Sequence, residues 1–295
     1  MQTVATLPTQ TAVKTVQQAR RGLALYFAVL VPITVLLEAI MIRTGTFVPW
    51  VLFLMFTPTL ASVIARLTLR EGFGDVSFRV GGRRGVQASL LALILPVIVG
   101  LVAYGIAWSV GLAEFTPPGS ATFPAVTNPL ARLGLQFVSV LNIGFLVALV
   151  LAAGEEIGWR GYMLTRLIDA RVPQPVLVSG LIWGVWHLPL ILSGLYAAGP
   201  NPLLSALWFL VAITVSSFLY ARLRLATGSI WPAIILHGAW NSTIQSVFDV
   251  STSGERATFW VGESGILVML TIIIVVVLLA RVWRPAAESS ARKLA

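Results

Sequence analysis

The stretch VPQPVLVSGLIWGVWHLPLILSGLYAAGPNPLLSALWFLVAITVSSFLYA, from Val172 to Ala221, runs for 50 residues without an aspartate, glutamate, lysine or arginine. A bilayer core of about 30 Å takes roughly 20 apolar residues per helix, so the stretch is long enough to cross twice. Gly199-Pro200-Asn201-Pro202 is where a helix would break, and it divides the stretch into spans near 175–195 and 202–221. Six more charge-poor runs lie near 22–42, 47–65, 87–111, 133–154, 227–247 and 264–281, the fourth of the eight leading into a charged segment. The reading is an all-α polytopic membrane protein with eight transmembrane helices.

Composition points the same way. Of 295 residues, 57% are hydrophobic and 11% charged, with a mean hydropathy of +0.90; a soluble domain carries about 25% charged residues. The net charge of +9 does not indicate nucleic acid, because the basic residues fall in short clusters between apolar runs instead of along one stripe. Eight crossings place sixteen of the twenty Lys and Arg on the side of the N-terminus and only Arg43, Arg132 and Arg256 opposite, with Arg160 inside a span. Both termini are therefore expected in the cytoplasm. Residues 1–21 and 285–295 read as cytoplasmic tails around one transmembrane domain, 22–284. The run after Arg20-Arg21 is too long for a signal-peptide core and reads as an uncleaved first span. The connection 113–132, with Pro117, Pro118, Pro124 and Pro129, is expected to be irregular. Loop 66–85, with Gly72, Gly74, Gly81 and Gly82 and five arginines, is expected to be flexible and to face lipid headgroups. There is no cysteine, which removes disulfides, thiol nucleophiles and Cys-ligated metals.

Ionisable groups at membrane depth cost about 2.5–3.5 kcal/mol each even on lenient scales, so each calls for a partner or a task. Gly154-Glu155-Glu156-Ile157-Gly158-Trp159-Arg160-Gly161 contains three. Glu156 and Arg160 are four apart and can pair on a helix; Glu155 lies about 100° around and is left over. A carboxylate left over suits general-base work, whereas the plain alternative is an ion-paired helix end. The two histidines, His187 and His237, sit mid-span, and Asn241 shares a helical face with His237. Each alone would be read as interhelical glue. Counted at 1.5 Å per residue, His187, His237 and Glu155 fall at about 18, 14 and 16 Å from the N-terminal side, the last on condition that the fourth helix continues past Arg160 to Arg166. Gly154 and Gly158, and Gly180 and Gly184, form thin faces expected to bring the fourth and fifth helices together. Trp159, Trp183, Trp186 and Trp240 read as packing bulk around a polar cavity, which is expected to open toward the cytoplasm.

Glu155-Glu156-x-x-x-Arg160, Trp183-x-x-x-His187 and His237-x-x-x-Asn241, in that order over about 133–248, resemble the CPBP family of intramembrane proteases. That family includes type II CAAX prenyl endopeptidases and bacterial bacteriocin-processing or immunity proteins. Trp183 stands where many members carry Phe. The resemblance implies an endopeptidase in which Glu155 and His187 activate water, His237 and Asn241 hold the oxyanion, and Glu156 and Arg160 brace the site. The substrate would be a membrane-associated protein or peptide, prenylated or not, in a bacterial cell membrane, with lipid as the other partner and no nucleic acid. Members are described as metal-free glutamate proteases and as metalloproteases. If zinc is held, Glu155, His187 and His237 are the ligand set, although the His-Glu-x-x-His signature is absent; the Asn beside His237 favours the metal-free form. Two other classes use the same residues: a non-catalytic immunity or adaptor protein, and a proton-coupled transporter. Against the transporter stands the absence of repeat symmetry.

Overall fold

A computed structural model describes residues 15–118 and 125–282. Lys14, Pro124, Arg284, Arg292, Lys293 and the tail 285–295 lie outside them. The described chain is a helical bundle. Helix α1 (Val16–Thr44) opens with a capping box in which Thr15 accepts from the Gln18 amide and the Gln18 side chain accepts from the Thr15 amide, so residues 16–21 of the expected tail are already helical. Then follow α2 (Trp50–Leu69), α3 (Gly82–Ser109), α4 (Pro129–Val140), α5 (Ile143–Gly158) and α6 (Leu164–Asp169), the last two joined by a π-helical turn over Trp159–Met163. Next come α7 (Pro175–Leu192), α8 (Pro202–Thr227), α9 (Trp231–Trp240) with a π-helical continuation over Asn241–Phe248, the short α10 (Ala257–Trp260), and α11 (Ile266–Val282). Proline is the first residue of α4, α7 and α8, where its missing N–H costs nothing. Gly45 and Gly228 end α1 and α8 in the left-handed conformation.

Five of these helices, α1, α2, α3, α7 and α8, are long and apolar enough to cross a membrane among the described residues. A sixth crossing is counted if α4 and the α5–α6 rod, bent by 58°, form one span. α9 has 10 residues before its π continuation, so the seventh expected span is not one regular α-helix, while α11 covers 17 residues up to the last described one. α4 starts at Pro129, inside the connection read as irregular, while Glu114–Phe115 pairs antiparallel with Thr252–Ser253.

The helices pack in a ring in the order α1, α2, α5, α9, α3, α11, α8, α7 and back to α1. Tyr26, Trp159, Tyr162, Trp183 and Trp186 fill its centre. One end gathers arginines: Arg66 donates to the Gly161 carbonyl at 2.9 Å, Arg224 to the Asp75 carbonyl at 2.7 Å and Arg79 to the Gly228 carbonyl at 3.0 Å. The loop after α2 is consequently not the loose segment expected. Asp75 is clamped between Arg66 and Arg166, the latter at 2.6 Å, and Val76 is fully buried. Burial pushes the Asp75 carboxyl up, but Arg66 and then Arg166 outweigh it and hold it below its ordinary value. The opposite end is closed by Phe47 stacked on Tyr196, Ser264 donating to the Ala197 carbonyl, and Trp108 donating to Thr252.

Candidate active site

The fourth apolar run continues past Arg160, as the depth count requires, because α5 passes through the π turn into α6 and ends only at Asp169. The turn follows directly on Glu155 and Glu156, and such local widening is frequent at functional sites. α5 lies close to α2, not to α7 as expected: a Cβ on Gly158 would stand 2.3 Å from the Pro58 carbonyl carbon, and one on Gly154 2.9 Å from the Met55 oxygen. The thin face of α7 meets α8, where a Cβ on Gly180 would lie 2.9 Å from Ser217 and one on Gly184 2.5 Å from Leu210. The third close approach joins α9 to α5, Gly238 lying against Leu149. These contacts bring His237 of α9 up to the acidic pair.

Glu155 and Glu156 are both buried, and their surroundings differ. Oε2 of Glu155 accepts from the indole N–H of Trp183 at 2.8 Å and of Trp159 at 3.1 Å. Oε1 of Glu156 accepts from Arg160 Nη1 at 2.7 Å and lies 3.0 Å from His237 Nδ1. Arg160 in turn donates to Ser217 Oγ at 3.1 Å, and its guanidinium lies over the rings of Trp183 and Tyr220 at 3.9 and 4.5 Å. His187 Nδ1 is 2.8 Å from the Trp183 carbonyl, an acceptor only, so Nδ1 carries a proton and Nε2 is the nitrogen left for other work. His237 is in the same position with its Nδ1 on a carboxylate. Asn241 opens the π continuation, with Oδ1 3.5 Å from Gln245 Nε2.

A cavity of about 450 Å³ is lined by Glu155, His187, His237 and Asn241. Glu156 and Arg160 stand behind this lining. The structure thus brings four of the six singled-out residues onto one cavity and the other two onto its supporting wall. The lining runs from Glu155 to Phe47, Tyr196 and Glu263, at the end away from the arginines, and includes nothing from connections 70–81, 170–174 or 228–230.

Sequence reasoning missed several groups here. Trp159 and Trp183 are hydrogen-bond donors to Glu155 as well as packing bulk. Glu263 lines the cavity, accepting from Trp240 at 2.9 Å and from the Tyr196 hydroxyl, and the Tyr196 ring lies over His187 at a centroid distance of 5.7 Å. A carboxylate just ahead of an apolar run was its only signal. Glu38, 4% exposed within α1, was visible as a lone charge in a span and belongs to no described ion pair; its Oε1 has no hydrogen-bond partner.

The conditional zinc set of Glu155, His187 and His237 is not assembled. No three His, Asp or Glu side chains form a metal-holding group among the described residues. Oε2 of Glu155 is occupied by indoles, which are donors and repel a cation from that oxygen.

Residues 137–243 match the family described as type II CAAX prenyl endopeptidase, Rce1-like. The match spans Glu155, Glu156, Arg160, His187, His237 and Asn241 and bears out the resemblance to the CPBP intramembrane proteases. No curated protein matches the chain.

Proposed function

We propose that the protein is an integral-membrane endopeptidase that hydrolyses a peptide bond of a membrane-associated protein or peptide in the 450 Å³ cavity. The observation that carries the reading is the unequal fate of the two adjacent glutamates: Glu156 is spent on Arg160 and His237, whereas Glu155 lines the cavity with both indole bonds on a single oxygen. Oε1 of Glu155 is then the atom that takes a proton from water. His187, its Nδ1 fixed on a main-chain carbonyl, offers Nε2 as the second acceptor and orients that water.

The water oxygen attacks the scissile carbonyl carbon as its proton passes to Glu155, and the carbonyl oxygen becomes an oxyanion. When His237 carries a proton, Nε2–H donates to that oxyanion and the Glu156 carboxylate on Nδ1 balances the positive charge. The Asn241 amide supplies the second donor, its oxygen being turned to Gln245. Collapse of the intermediate returns the proton from Glu155 to the departing amine and leaves a carboxylic acid on the other fragment, whose own proton then passes to the amine, giving carboxylate and ammonium. The family points to prenylated C-terminal motifs as one substrate class, and a non-prenylated membrane peptide fits the same apolar lining.

The test is cleavage of a membrane-peptide panel, with and without a prenylated cysteine, by the full chain in liposomes. Glu155→Gln, which keeps shape and removes the base, is expected to lower the rate at least 10²-fold. Cleavage at the unsubstituted rate would overturn the reading. A biological activity surviving that substitution would favour the non-catalytic adaptor.

A further inference from the structure

A second cavity, of about 860 Å³, lies at the arginine-rich end, where α1, α2, α6 and α8 meet the loop after α2. Arg21, Arg70, Arg79 and Arg224 line it, together with Glu71, Asp75 and Asp169 and the hydroxyl residues Ser77 and Thr165. The three carboxylates are turned toward two arginines outside the lining. Arg166 reaches Glu71 at 2.7 Å, Asp75 at 2.6 Å and Asp169 at 3.8 Å, and Arg66 also holds Asp75. Among the described residues the neighbourhood therefore holds six guanidiniums and three carboxylates, with the acidic charge drawn to one wall.

Arg224 is the most exacting of the four. It is only 5% exposed, Nη2 donates at 2.7 Å to the main-chain carbonyl of Asp75, and its buried Nε has no hydrogen-bond partner. Asp75 is the carboxylate within its electrostatic reach, but both oxygens of Asp75 are taken by Arg66 and Arg166, so a buried guanidinium facing the cavity has room for a further anion. Across the cavity, Arg79 spends Nε on the Gly228 carbonyl, which fixes its guanidinium at the wall. Guanidinium forks match phosphate oxygens two at a time. The clamp of Arg66 and Arg166 on Asp75 holds the walls in place before any ligand arrives.

We propose that this cavity binds a phosphate group, with Arg224 and Arg79 as its main donors and Arg21 and Arg70 beside them. The phosphate arrives either as inorganic phosphate or as the phosphomonoester headgroup of a membrane lipid. The site is separate from the Glu155 cavity and does not depend on the peptidase reading.

Full-length protein in phosphatidylcholine nanodiscs, titrated calorimetrically with inorganic phosphate, tests the first source. Nanodiscs doped with phosphatidic acid or with phosphatidylglycerol, the retained lipid being read by native mass spectrometry, test the second. Saturable phosphate binding assigns the site to the free ion; retention of phosphatidic acid over phosphatidylglycerol assigns it to lipid. In either case about ten-fold weakening is expected in Arg224→Gln and in Arg79→Gln. Arg79 is exposed, so its variant is informative even if the buried Arg224 substitution fails to fold. Arg20→Gln and Arg83→Gln, exposed and outside the lining, are expected to bind unchanged. Absence of binding in both arms, or equal weakening in these two controls, would overturn the proposal, the latter by reducing it to a diffuse basic surface.

Discussion

Trp183 is asked to do three things at once. Its indole N–H donates to Glu155, its main-chain carbonyl fixes His187, and its ring lies under the Arg160 guanidinium. Replacing it by Phe keeps the carbonyl and an aromatic face and removes one hydrogen bond to a charged group, worth about 1.5–3 kcal/mol. In the proposed mechanism that bond orients the base in the transition state. Trp183→Phe is therefore expected to lower kcat/KM for membrane-peptide cleavage about ten- to a hundred-fold with the protein still folded. A rate within two-fold of the unsubstituted protein would show that the bond is not used. The polar residues themselves were legible: two glutamates cannot both be four residues from one arginine, and only Glu156 is. The indole donors were not, because residue type and spacing predict bulk whereas donation depends on the rotamer and on which helix lies opposite.

At the scale of the helix, a narrow glycine face can be read from spacing, but its partner cannot. Gly154 and Gly158 mark a surface where another backbone comes close, and nothing local says whether that backbone is α2 or α7. The bend at 141–143 and the π turns escaped for a related reason: both change register without changing composition. Gly158→Ala would force the Pro58 main chain of α2 to move, since the added carbon would stand 2.3 Å from its carbonyl carbon. Overpacking of this kind costs typically about 1–3 kcal/mol, and a lowered midpoint of thermal unfolding in detergent would register it; an unchanged midpoint would mean that α2 yields without strain. At the other end of the bundle, Asp249 follows the π continuation of α9 and meets the Tyr104 hydroxyl. Burial pushes its carboxyl up to about 7, with Glu263 adding to the rise against the Tyr104 hydrogen bond. A folded-state value above the ordinary 3.8 means that the protonated form is the one the fold favours. Its contribution is full below 3.8 and is lost as pH rises through 7. Thermal stability is expected to fall between about pH 4 and 7, and Asp249→Asn, locked in the neutral form, is expected to flatten that fall; identical profiles would assign the titration elsewhere.

For the whole molecule, the arrangement of charge gives an expectation of which end faces which compartment. Arg66, Arg79, Arg166, Arg222 and Arg224 meet at one end, and the described start of α1 and end of α11 both lie there. We expect that end to be cytoplasmic, since basic connections are retained on that side. The Glu155 cavity extends the other way, toward Phe47, Tyr196 and Glu263, so a substrate would reach it from the outer half of the bilayer or sideways from lipid. The chain has no cysteine, which makes the expectation directly measurable. Thr116→Cys and Glu255→Cys place a thiol at exposed positions of the end near the cavity, and Arg20→Cys and Arg83→Cys place one among the arginines. A membrane-impermeant maleimide applied to intact cells is expected to label the first pair and to reach the second only after permeabilisation. The opposite pattern would invert the protein and turn the cavity toward the cytoplasm. Labelling of all four in intact cells would mean that the two ends are not separated by a membrane, and the number of crossings would have to be read again from α4 and α9, the helices whose lengths leave it open.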